Sequence, residues 1–162
     1  ALFRLVLPSA WIRLAGGRMD PQLVVELELH HRGSEAIETR MGLELSLHLL
    51  GGGGNPSAWY DVRGERSAHD GTGEAAGVEA IGYGNDWVGI AVEARPQPPA
   101  DAWWSPIETV SNSESGFERV YQGSTLLLSW PARIEPGETR RFAVTQRVAV
   151  VRDHALEEHA RP

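Results

Sequence analysis

The chain has 162 residues, a net charge of −7 and a pI near 5.3. Its summed field repels phosphate backbones and anionic headgroups, so neither nucleic acid nor a membrane surface is an expected partner. It contains no cysteine, no lysine and no run of about 18 apolar residues, which excludes disulfides, thiolate and Schiff-base chemistry, lysine-dependent phosphate loops and a membrane-spanning helix.

The N-terminal ALFRLVL lacks the basic region and small-residue cleavage site of a signal peptide. A start at Ala1 rather than Met suits a piece of a longer polypeptide. From Gln22 to His31, Leu23, Val25, Leu27 and Leu29 alternate with Val24, Glu26, Glu28 and His30, the period of a half-buried strand. Met41 to Leu49 repeats that pattern after the polar linker Arg32 to Arg40, and the two strands are expected to pair. Gly51 to Gly54 with Asn55-Pro56 reads as a flexible connection, and Arg63 to Gly77 as an exposed loop. Val78 to Gly82 suits a short strand. Trp87 to Glu93 alternates as another, stopped by Pro96, Pro98 and Pro99. Ile107 to Ser111, Glu118 to Trp130 and Thr139 to Val151 supply further β runs, with Pro136-Gly137 as the last turn. Short strands with turn signals and no long amphipathic helix predict an all-β, two-sheet antiparallel β-sandwich over residues 1–152, with a frayed tail at 153–162.

Few constellations carry chemistry. The six histidines show no HExxH and no ligand pair on one strand face, so no zinc site is expected and His30 and His48 read as solvated. Neither GxSxG nor SxxK supplies a nucleophile, and GGGGNPS is followed by no helix. Glu108 and Glu114 are close enough in sequence to suggest a glycosidase pair, but the ETVSNSESG context favours acceptors of local backbone N–H groups. An acid–base role on such a scaffold would fall to His30, His48 and Glu108. No cofactor is expected. A structural calcium, if one is held, would sit on the oxygen-rich Asn85-Asp86 or at Asp61, which carry no spaced loop signature.

The aromatics are more informative. Trp103 to Trp130 gathers three of the six tryptophans with Phe117 and Tyr121, and indoles beside carboxylates and amides are what grips sugar rings. Trp87 and Trp130, among apolar strand residues, suit the core. Trp103 and Trp104 are adjacent, so on an extended chain only one faces inward. Trp59, beside the glycine tract and followed by Tyr60, is the second candidate for an exposed platform. Glu108, Asn112, Glu114 and Gln122 are the candidate partners for sugar hydroxyls, with Tyr121 in the same segment.

The run Trp104-Ser105-Pro106-Ile107-Glu108-Thr109-Val110-Ser111, with Ser113-Glu114, Gly116-Phe117-Glu118-Arg119 and Tyr121-Gln122-Gly123, resembles the C-terminal β-sandwich domain of α-amylase/4-α-glucanotransferase enzymes of glycoside hydrolase family 57. Met41 to Leu47 and Asp86 to Ile90 resemble other strands of that domain, while the glycine-rich stretch at 51–56 has no evident counterpart. The resemblance implies a mutarotase-like sandwich, no catalytic residues in this chain, a parent catalytic barrel as partner, and an α-glucan such as starch, glycogen or maltodextrin as the polysaccharide or oligosaccharide bound. The alternatives are an accessory domain that buttresses the barrel without touching sugar, or one that binds another polysaccharide.

Overall fold

In the computed structural model, which describes residues 9–18, 20–113 and 116–150, the regular elements are all strands. They are β1 (Ser9–Gly17), β2 (Asp20–His30), β3 (Ile37–Leu47), β4 (Ala58–Val62), β5 (Glu65–Ala68), β6 (Gly73–Val78), β7 (Ile81–Asn85), β8 (Ile90–Gln97), β9 (Ala100–Ser113), β10 (Gly116–Ile134) and β11 (Thr139–Val150). A seven-stranded sheet has the order β1-β2-β11-β8-β7-β4-β5, and a four-stranded sheet the order β3-β10-β9-β6. The pairings are antiparallel, and the two-sheet sandwich expected from the sequence is present. Among the described residues no helix is long and apolar enough to cross a membrane.

The core is what the period-two pattern dictates. Val25, Leu27, Leu29, Tyr60, Ile81, Tyr83, Ala94, Phe142 and Val144 face inward from the large sheet, and Leu47, Ala102, Trp104, Leu126, Leu128, Trp130 and Ile134 from the small one. Trp130 packs on Phe142 with ring centroids 5.0 Å apart, and its Nε1–H donates to the Pro98 carbonyl at 2.8 Å. Both contacts fit the expectation that Trp130 is interior, where an indole needs one hydrogen-bond acceptor.

Several local expectations are corrected. β2 and β3 do not pair: β2 lies between β1 and β11, whereas β3 pairs with β10 in the opposite sheet. Alternation reports that a strand has one buried face, not which sheet supplies it, and the residues between them carry the chain across. The span read as an exposed loop contains β5 and most of β6, while Val78 to Gly82 straddles the turn between β6 and β7. β8 begins at Ile90 and passes through Pro96. Its pairing with β7 ends at Ala94, so a residue without an N–H sits where β11 is the only neighbour. Trp87 is not core but 77% exposed. It stands in the turn between β7 and β8, where the Asn85 side chain accepts the N–H groups of Trp87 and Val88 at 2.9 and 3.1 Å. The tail expected at 153–162 lies outside the described residues.

Candidate functional site

The aromatic candidates separate into three environments. Trp59 and Tyr60 follow the alternation of β4, with Tyr60 fully buried in the core and Trp59 on the opposite side of the sheet. Trp59 is nonetheless only 7% exposed, so the expected platform is not open. Its indole lies against Gly82 and Gly84, where an added Cβ would come within 3.3 and 2.8 Å of the ring. The Arg66 guanidinium covers it at 4.0 Å from a ring centroid, and Asp86 holds both groups, accepting from Trp59 Nε1 at 2.7 Å and from Arg66 Nη1 at 2.8 Å. A glycine floor and an ion-paired lid thus bury an indole that points away from the core.

Tyr60 stacks on His69, with centroids 4.4 Å apart and planes 6° from parallel. His69 is fully buried, and burial pushes its pKa down to about 4. Ser124 Oγ donates to the His69 carbonyl at 2.6 Å and lies 2.9 Å from His69 Nδ1. A hydroxyl has one proton, so Nδ1–H is the donor in the second contact, and the lowered pKa leaves the ring neutral at pH 7. The half-buried Tyr121 hydroxyl completes the cluster, 2.8 Å from Ser124 Oγ. Gly51 and Gly52 close over it: an added Cβ on Gly52 would meet the Tyr121 ring at 2.5 Å. The first half of the glycine tract is therefore a close-packed cover over a polar cluster, while Gly53 and Gly54 are exposed; the cluster was not legible in the sequence because His69 carries no motif.

The hydroxyl-partner candidates lie elsewhere. β9 and β10 run on together as a hairpin on which residues 107–112 and 116–120 are exposed. Glu108 is ion-paired with Arg119 at 3.2 Å, Gln122 donates to Thr109 Oγ1 at 3.2 Å, and Asn112 is exposed opposite Phe117. Asn112 is nine residues along β9 from Trp103, roughly 30 Å at strand rise. These side chains do not form one site with the tryptophans, and Glu114 lies outside the described residues. Nor do His30, His48 and Glu108 converge. His30 contacts Thr139 at the start of β11, whereas His48 lies beside Gly123, near the far end of the sandwich.

Trp103 and Trp104 divide as adjacency requires. Trp104 is core, 5.6 Å from Tyr60 between ring centroids, and Trp103 is partly exposed on the outer face of the four-stranded sheet. One cross-strand row reads Glu44, Leu127, Trp103, Glu74 from β3 to β6. Trp103 Nε1–H donates to Glu74 at 3.0 Å, and Thr125 Oγ1 donates to Glu44 at 2.9 Å. Arg40, held by Asp101 at 3.0 Å and Ser129 at 2.8 Å, lies over the indole at 5.2 Å from the centroid and keeps the Asp101 carboxyl below its ordinary pKa. Around this row runs an open groove of about 400 Å³ that also reaches Thr72, Gly73 and Ser105. An indole flanked by carboxylates and hydroxyls can stack on a sugar ring and hydrogen-bond its hydroxyls.

A larger groove, about 1160 Å³, crosses the outer face of the seven-stranded sheet past Trp59, Asp61, Gly82, Glu93 and Arg147. Its charges are largely spent on each other: Arg147 pairs with Asp20 and depresses that carboxyl, and Arg95 grips Glu93 at 2.6 and 2.9 Å. Asp86 is committed to Trp59 and Arg66, and Asp61 accepts from the Gly64 N–H at 2.9 Å. Among the described residues no three His, Asp or Glu side chains gather in a way that could hold a metal ion.

Known proteins resemble this chain in sequence and in fold. Alpha-amylase 1 of Dictyoglomus thermophilum is 31% identical over 125 residues, which is 74% of this chain but only 17% of that protein. The chain thus spans about a sixth of the length of the relative it matches. The 4-alpha-glucanotransferase from Thermococcus litoralis superposes on 88% of this chain and 18% of that one, at 15% identity and a TM-score of 0.49. An Escherichia coli K12 protein provisionally assigned as an aldose 1-epimerase superposes with a TM-score of 0.60 at 12% identity, over 88% of this chain and 65% of that one. That last likeness is one of fold, and it makes the sandwich mutarotase-like. Residues 14–145 match the family model described as Alpha-amylase/4-alpha-glucanotransferase, C-terminal, and the chain belongs to that family of C-terminal domains.

Proposed function

We propose that this domain is a non-catalytic carbohydrate-binding module of an amylolytic or glucanotransferase protein, and that it takes an α-glucan on the outer face of the four-stranded sheet. The observation that carries the reading is Trp103, partly exposed in a groove between Glu44 and Glu74 with the Thr125 hydroxyl alongside. Stacking of one pyranose contributes roughly 1–2 kcal/mol by analogy with other aromatic contacts. With hydrogen bonds to the flanking carboxylates added, affinity for a short maltooligosaccharide falls in the millimolar range. Family membership supports the ligand class, and the separation of His30, His48 and Glu108 supports a binding role over a catalytic one. Affinity electrophoresis in amylopectin tests it: the chain is retarded, and Trp103→Ala is retarded about tenfold less. Equal retardation of the two would overturn the assignment of Trp103.

A second reading, in which the sandwich buttresses the catalytic domain of its parent, is favoured by a different observation. Val110 and Phe117 are 62% and 84% exposed on the β9–β10 hairpin, on the side continuous with the core face of the small sheet. An inward-type face running past its covering sheet suits contact with another protein surface. The two readings use different surfaces and are compatible.

A further inference from the structure

We infer that the seven-stranded sheet carries a second glycan-contact site, built on Trp11, which makes the domain bivalent for α-glucan. The inference takes its ligand class from the reading above, but none of its residues. Trp11 is 52% exposed on the edge strand β1. The cross-strand register continues from it through Glu26 on β2 and Ala143 on β11 to Gln97 on β8. These four side chains share the outer face, with the indole and the amide separated by three strand spacings, roughly 14 Å. Ala143, the smallest of the four, leaves a notch between them, and a groove of about 360 Å³ opens there, lined also by Glu28 and Arg141. That volume is at the lower end of the ~300–1,000 Å³ typical of small-ligand sites.

The chemistry of the notch suits a neutral polyhydroxyl ring. One wall is an indole face and the other is the exposed Gln97 amide, which offers a donor and an acceptor and has no hydrogen-bond partner among the described residues. Glu28 is paired with Arg141 at 2.8 Å and Glu26 lies 3.8 Å from Arg13, so the two carboxylates are matched by two guanidiniums. A charge-balanced lining favours a neutral ligand over phosphate or a cation. Ile12 and Leu14, also exposed, alternate to the other face of β1, so on this side the indole is an isolated platform and not part of an apolar patch.

Two weak sites on opposite sheets act together on a polymer but independently on a short oligomer. Retardation in amylopectin should therefore fall about tenfold for Trp11→Ala, about tenfold for Trp103→Ala, and vanish in the double variant. Ala143→Leu, which fills the notch and keeps the indole, should match Trp11→Ala. Near-ultraviolet circular dichroism checks that each variant is folded. Retardation of Trp11→Ala and Ala143→Leu within twofold of the parent chain would overturn this inference and leave the Trp103 site standing. Loss on Trp11→Ala with no effect of Trp103→Ala would keep this inference and remove that site. A parent chain that is not retarded would remove both.

Discussion

Trp59 and Trp103 show how little an indole's position in a strand says about its availability. Both point away from the core, yet Trp59 is closed in by Gly82, Gly84, Arg66 and Asp86, and Trp103 stays partly exposed. The difference makes opposite predictions. Trp59→Ala should cost about 3 kcal/mol of stability in urea unfolding and leave glucan retardation of the folded protein unchanged. Gly84→Ala should cost about 1–3 kcal/mol, because the new Cβ meets the Trp59 ring and the Ile90 carbonyl. Loss of retardation in Trp59→Ala at unchanged stability would return Trp59 to the role of platform. Aromatic exposure was half-legible in the sequence: adjacency separated Trp103 from Trp104, but Trp59 and Tyr60 are both buried, Tyr60 in the core and Trp59 under an arginine lid from β5, which sequence alone did not resolve as a strand.

His69 supplies a pH prediction at the same scale. Its folded pKa of about 4 lies below the 6.5 of an exposed histidine, so between those values the unfolded chain binds the extra proton. Stability from the neutral ring is complete above pH 6.5, declines as pH falls, and levels off below about 4. The span is worth on the order of 3 kcal/mol; burial drives it, and the neighbouring Asp70 carboxylate keeps the fall from being larger. Urea midpoints at pH 7 and 4.5 should differ more for the parent chain than for His69→Gln. An identical pH dependence in the two would show that the ring is not the titrating group.

Among elements, the β9–β10 hairpin stands apart. Where β10 lies between β3 and β9 its inner residues Leu126, Leu128 and Trp130 are buried, whereas Val110, Phe117 and Val120 farther along the same ribbon are exposed. Replacing both Val110 and Phe117 by Ser should change folding stability by no more than about 0.5 kcal/mol per site while lowering the fluorescence of a bound hydrophobic dye. A larger loss of stability would mean that the hairpin packs on the body of the domain. Strand existence was readable here from alternating Val, Ile, Phe and Tyr. The extent of the hairpin was not, because a strand continuing beyond its covering sheet keeps the same pattern. Partner choice was equally invisible for β2 and β3, whose alternation is satisfied from either sheet.

For the whole molecule, composition and turn spacing were enough to indicate a two-sheet sandwich, and the 104–123 run pointed to the family that residues 14–145 match. The candidate site was less legible. Side chains near one another in sequence, Glu108, Asn112 and Gln122, lie out along the hairpin, while the groove at Trp103 is completed by Glu44 and Glu74 from strands distant in sequence. Register, not proximity along the chain, decides which groups meet. The most direct test of the sugar-binding account is affinity electrophoresis of the chain in amylopectin alongside calorimetric titration with maltoheptaose. The account predicts retardation and a saturable heat, both weakened by Trp103→Ala; unaltered migration with no heat on any α-glucan would contradict it.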